Sequence, residues 1–324
     1  MTPTCRPFFS VMLSVGLFAL VPQVASHERL LAADAGIVQP ERPTRAEVLN
    51  SRSSPDVRPK KQGEDAAAPV EIATPYYTLH ASADQRRDAE LLAATLDHAI
   101  AAMIVDYAAA DADKLLRSAT VRIHVSSIPN DMCGPGHATN QSSWDGKRST
   151  AEIHILAPSA HADPAAPGSP RTSMDEPMDN AYVQRVLVHE YATVLIESIC
   201  RSKPRGWSFW DAPPWFVQGS EEYFGAMYSS PHARDVTLPL YKRATLERSL
   251  ITADWGLDAR EPYISGPVLI AFLQEHYGRD AFIGILRSEL PTFGAAMREA
   301  TKASPSEFVE QLKAWLAQGA KPDP

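Results

Sequence analysis

Hydrophobic and polar positions divide this chain into segments of period two and segments of helical period. "ATVRIHVSSI" sets Val121, Ile123 and Val125 against polar neighbours, and "STAEIHIL" repeats the alternation at Ile153 and Ile155, so each predicts a half-buried strand. "YYTLHAS" is a third strand-like stretch. "DAELLAATLDHAIAAMIVDYAA" instead carries Leu91, Leu92, Leu96, Ile100, Met103 and Ile104 at helical spacing, which predicts a helix packed on the sheet. A loop rich in Pro, Ala and Ser runs from Ala157 to Pro177, and Asp179 or Asn180 stands as N-cap of the next helix. Beyond Asn180 most of the chain reads as helix. The pattern predicts an α+β fold, with a small N-terminal sheet plus helices followed by a mostly helical C-terminal half.

The first 73 residues read differently. Arg6, the apolar run "FFSVMLSVGLFAL" from Phe8 to Leu20 and small residues at Val24 and Ser26 have the layout of a secretory signal peptide over residues 1–26. About 13 apolar residues fall short of the roughly 20 that cross a bilayer as a helix. Export to the periplasm or the extracellular space is therefore expected, with no stable membrane span after cleavage. From 27 to 73 the chain is rich in proline, alanine and charge and lacks sustained apolar periodicity, which predicts a disordered linker. Residues 74–319 form the expected folded domain.

Composition narrows the function classes. With 44% hydrophobic and 22% charged residues, the 324-residue chain is ordinary for a globular protein. Its net charge is −8, and its lysines and arginines are scattered, so nothing supplies the basic stripe that nucleic acid requires. Past the signal segment only Cys133 and Cys200 remain. In an oxidising compartment they most simply form one disulfide; two independent thiols, or a metal contribution from "CGPGH" with His137, are the alternatives.

The candidate chemistry lies in "VLVHEYATVLIE", Val186 to Glu197. In a helix, HExxH puts two imidazoles on one face to share a zinc ion, with the intervening glutamate placed to activate the bound water. His189 and Glu190 are present, but Thr193 stands where the second histidine belongs. A threonine hydroxyl is a poor substitute for imidazole on a borderline metal.

Two further stretches carry a resemblance to a known family. "PPWFVQGSEEYF", Pro213 to Phe224, resembles the second motif of gluzincin (peptidase MA-like) zinc metallopeptidases, W-[LF]-x-E-G-x-[AS]-E-[YW]-[FV], at Trp215, Phe216, Gly219, Glu222, Tyr223 and Phe224. "YISGPVLIAFLQEHYGRDAFIGIL" is similar to the family's downstream helix at Tyr263, Gly266, Phe272, Leu273, Tyr277 and Gly278. The resemblance implies a gluzincin-like fold. It also implies His189 as a metal ligand, Glu190 as general base, and Glu222 as the carboxylate that fixes the His189 imidazole. Tyr263 would be a hydrogen-bond donor to a developing oxyanion or a packing residue. The other two ligand positions fall on Thr193 and Gln218, and Glu221 stands where a small residue is usual.

Losing two ligands weakens zinc binding by roughly 6 to 8 kcal/mol, about five powers of ten. No cofactor is therefore expected, and zinc only if the site is functional. Glu197 lies roughly 12 Å along the helix from His189, too far to rescue the site. Glu221, Glu222, His154 and His161 are the other candidates for rescue. Trp207, Trp210 and Trp215 either pack or line a groove. The expected function is a noncatalytic pseudopeptidase that binds a peptide or protein, with "STAEIHIL" receiving an extended peptide if it is an edge strand. An active zinc metallopeptidase with unconventional ligands and a purely structural envelope-associated domain are the alternatives.

Overall fold

Five strands make one mixed sheet in a computed structural model that describes residues 68–127, 138–145, 148–160, 180–231, 233–246, 255 and 262–319. They are β1 (Val70–Ala73), β2 (Thr78–Ala81), β3 (Thr120–Ser126), β4 (Ala138–Trp144) and β5 (Ser149–Leu156), in the order β1-β2-β3-β5-β4. The inner strands β2, β3 and β5 run parallel, while β1 and β4 pair antiparallel at the two edges. A parallel pair needs a crossover. Helices α1 (Arg86–Asp106) and α2 (Ala112–Ser118) supply it between β2 and β3.

Alternation fixes the two faces of the sheet. Leu79, Val121, Ile123, Val125, Ala151, Ile153 and Ile155 are buried on the inner face, with Leu92, Leu96, Ile100 and Met103 of α1 in the same core. Thr78, His80, Arg122, His124, Glu152 and His154 take the other face, at intermediate or full exposure. The period-two pattern thus selects which side receives the helices.

The C-terminal half is helical. It comprises α3 (Asn180–Arg201), α4 (Pro214–Tyr228), α5 (Leu238–Leu246), α6 (Pro262–His276), α7 (Arg279–Arg287), α8 (Phe293–Thr301) and α9 (Pro305–Gly319). From Leu187 to Cys200, α3 is buried all round except at Glu190, so it is the central helix, touching the sheet, α1 and α4. Pro214 opens α4 at its first turn, where a missing N–H costs nothing. Trp207, Trp215, Phe216, Phe224, Phe282 and Phe293 form ring pairs, tilted to α7 and edge-to-face to α8, that join α4 to both helices.

The fold departs from the sequence reading at three strands. Val70–Ala73 is a strand inside the stretch read as linker, because Val70 and Ile72 alternate with Glu71 and Ala73. "STAEIHIL" is not an edge: β5 lies between β3 and β4. The edge strand β4, "ATNQSSW", has one apolar residue at its start and one at its end, so alternation does not announce it. Trp207 and Trp215 are buried in the core, which bears out the packing reading over the groove. The signal segment, the linker up to residue 67, Cys133, His137, His161 and Asp179 lie outside the described residues. No helix among the described residues is long and apolar enough to cross a membrane.

Backbone approach at two glycines holds α4 and α6 together. A β-carbon on Gly219 would lie 2.5 Å from the Gly266 backbone, and one on Gly266 would lie 2.6 Å from the Gly219 α-carbon. Neither neighbour is a flexible side chain, so the helices would have to part. Gly219→Ala is expected to lower stability by about 3 kcal/mol, a fall in melting temperature of roughly 6 to 12 °C. Gly284 on α7 has open space around it. Gly284→Ala is expected instead to stabilise by about 0.5 to 1 kcal/mol, and thermal melts of the two variants check both directions.

Candidate functional site

The site forms where α3 crosses α4. His189 and Thr193 are one turn apart on α3, and Gln218, Glu221 and Glu222 share a face of α4, all buried. Gly225 permits the crossing: a β-carbon there would meet the Arg185 carbonyl at 2.9 Å and the His189 β-carbon at 3.3 Å. With nothing between the backbones, the Glu222 carboxylate reaches His189.

Glu222 anchors a network of four residues. Its Oε2 lies 2.9 Å from His189 Nδ1, while its Oε1 accepts from Tyr241 Oη at 2.5 Å and pairs with the Arg185 guanidinium. Arg185 Nη1 also donates to Tyr241 Oη at 3.0 Å. The guanidinium satisfies the charge of Glu222, so His189 need not be cationic. Burial, reinforced by Arg185, holds its pKa down to about 3, and the neutral ring donates from Nδ1 and leaves a lone pair on Nε2.

What faces that lone pair is Glu221. Its Oε2 lies 3.6 Å from His189 Nε2, too long for a hydrogen bond, and its Oε1 accepts from Thr193 Oγ1 at 2.7 Å. Burial drives the Glu221 pKa well above the carboxylate range, against the Thr193 hydrogen bond; Glu190 and Glu197 push the same way as burial. Burial thus favours the protonated acid at Glu221, which lies between Thr193 and His189.

These groups do not fit a catalytic zinc. Thr193 commits its proton to Glu221, Gln218 offers a neutral amide, and the carboxyl in their midst is protonated. His189 Nε2 is the one imidazole donor among them, so the two-histidine, one-carboxylate set of a catalytic zinc is not assembled here.

Glu190 is partly buried beside this cluster, and burial raises its pKa to about 7. Its carbonyl accepts from Asn140 Nδ2 at 2.8 Å, which ties the edge strand β4 to α3. Tyr263, at the start of α6, stacks on the His189 ring with centroids 6.4 Å apart and is 42% exposed, so it covers the imidazole and does not fill the core. Burial, then Glu221 and Glu190, push its hydroxyl to about 12. Glu197 is held elsewhere, by Arg201 and by Trp210 Nε1 at 3.1 Å. His154 is on the far face of the sheet. Cys200 is a buried free cysteine whose sulfur faces the Trp207 carbonyl at 3.9 Å, and burial raises its pKa.

Sequence reading missed Arg185 and Tyr241. Arg185 stands one turn before His189 on the same helix face, a spacing that could have marked it. Tyr241 carries no local signal, because only the fold brings α5 to Glu222. Comparison with known proteins gives no match: no protein-family model, no curated protein and no solved structure matches the chain.

Two pH effects of opposite sign follow. Glu190 ionises near 4.5 when unfolded but near 7 when folded, so the folded state holds the extra proton in between. Stability falls as pH rises through that window, and the penalty is complete above it. His189 protonates near 6.5 unfolded but near 3 folded, so its contribution is lost as pH falls below 6.5. Glu190→Gln is expected to stabilise by ~1 to 2 kcal/mol at pH 8, a value discounted for partial exposure, and to change little at pH 4.5. Melting temperatures at the two pH values check this; equal shifts at both would contradict it.

Proposed function

We propose that the chain is an exported, peptidase-like protein of gluzincin type whose zinc site has been replaced by a neutral hydrogen-bonded cluster. In this reading it binds an extended peptide or protein segment without cutting it. The observation that carries the proposal is Glu221 between Thr193 and His189, hydrogen-bonded to one and 3.6 Å from the other. A side chain at two would-be ligand positions takes the place of an ion. The three ordered motifs support the family, and so does Glu222 on Nδ1 of His189, the outer partner that metal histidines usually have.

The binding role rests on β4. A peptide can add to a sheet only at an edge, and the two edges of this sheet are β1 and β4. Of these, β4 is tied to the His189–Glu190 helix through Asn140. A segment laid along β4 would run beside the helix that carries His189 and Glu190.

The test is reversion, and the position of Glu221 sets its form. Restoring Thr193→His and Gln218→Glu alone leaves the Glu221 carboxyl in the way, so Glu221→Ala completes the set. The triple variant is expected to hold one zinc per chain that a further His189→Ala removes. The wild-type chain is expected to hold none that His189→Ala removes and to show no chelator-sensitive hydrolysis of a casein substrate. Wild-type zinc or hydrolysis that disappears with His189→Ala would instead establish the active reading, with Glu221 as an unconventional ligand.

A further inference from the structure

A second group of histidines lies on the outer face of the sheet, away from the α3–α4 crossing. The ladder aligns one row across all five strands: Glu71 opposite His80, His80 opposite His124, His124 opposite His154, and His154 opposite Thr139. The rings stack along this row, with centroids 5.5 Å apart for His80 and His124 and 4.8 Å apart for His124 and His154. Glu152 precedes His154 by two residues and therefore shares its face.

We propose that His124, Glu152 and His154 bind a borderline divalent cation of the Zn(II), Ni(II) or Cu(II) kind. One ligand atom from each of the three lies within 4.8 Å of the others, and Glu152 Oε2 is 2.8 Å from His124 Nε2. Ligands at about 2.0 to 2.2 Å from one ion stand roughly 3 to 4 Å apart, so small side-chain rotations on a fixed ladder complete the set. Two imidazoles and one carboxylate favour these cations over Mg(II) and Ca(II), which want oxygen alone.

The surroundings suit the role. Arg122 Nη1 holds Glu152 Oε1 at 2.8 Å and leaves Oε2 to face the histidines, orienting the carboxylate as an outer partner would. Burial works against the ionised carboxyl, yet the hydrogen bonds from Arg122 and His124 outweigh it and keep Glu152 below its usual range. The site is half-open to solvent, so an ion enters without the fold opening. His80, stacked on His124, is placed as an additional donor after a turn of its ring.

The test is equilibrium binding of Zn(II), with Mg(II) as control, to the full-length chain, read by competition with a chromophoric chelator. The wild type is expected to bind one Zn(II) that His154→Ala weakens roughly a hundredfold or more and that His124→Ala with His154→Ala abolishes. His189→Ala is expected to leave this binding unchanged, which separates it from any site on α3. Equal Zn(II) affinity in the wild type and the double variant, or no Zn(II) binding by the wild type, overturns the proposal. Should the double variant fail to fold, zinc-edge anomalous scattering from wild-type crystals soaked in Zn(II) decides. A peak among His124, Glu152 and His154 supports the site, and its absence there overturns it.

Discussion

The approach of α3 to α4 at Gly225 is the constraint on which the site depends. With hydrogen as the side chain, the backbone of α4 comes to within van der Waals reach of Arg185 and His189, and Glu222 one turn earlier lands on the imidazole. The same device recurs on the other side of α4, where Gly219 meets Gly266 of α6. A helix wedged by two glycine contacts has little freedom to slide, so the groups it carries are held in fixed register with α3. Packing density, more than any single hydrogen bond, sets the geometry of the cluster.

Such close packing raises an electrostatic problem, because Glu197, Glu221 and Glu222 are all taken out of water near one another. Each is neutralised by different means. Glu222 has Arg185, backed by Tyr241, and Glu197 has Arg201 and the Trp210 indole. Glu221 has a hydroxyl and a neutral histidine, neither of which can carry its charge, so it keeps its proton. A proton on Glu221 does here what a cation would do in a metal site, at lower charge and without demanding anionic or imidazole partners. Thr193 and Gln218 beside it are consistent with that state, since neither is an anion that would need a cation.

The sheet and the long helices were legible because both periods are strong. Val121, Ile123 and Val125 alternate cleanly, and Leu92, Leu96, Ile100 and Met103 all prove buried on α1. β4 was not legible, since an edge strand with polar residues on both faces draws its order from pairing with β5 and not from burial. In the site, the gap at Thr193 one turn from His189 follows from helix spacing, whereas the place of Glu222 beside His189 was expected only from the motif resemblance. The position of Glu221 follows from neither, because i, i+4 reasoning assigns residues to a face without saying which of two neighbours fills a space. Tyr241 lay further still from view: its contact with Glu222 spans separate helices, and no local pattern encodes such a contact.

The two histidine groups show how backbone geometry governs what a side chain is free to do. On a helix, two imidazoles share an ion when they stand three or four residues apart, and no second histidine stands at that distance from His189. On a sheet, the strand spacing of about 4.8 Å brings His124 and His154 together from distant parts of the chain, and their ring separation matches that spacing. Ligand geometry on the ladder is thus guaranteed by register, which the buried inner face enforces for reasons unrelated to metal. The α3–α4 crossing is held by close helix packing and the β3–β5 row by strand register, so in both places the core decides which side chains meet.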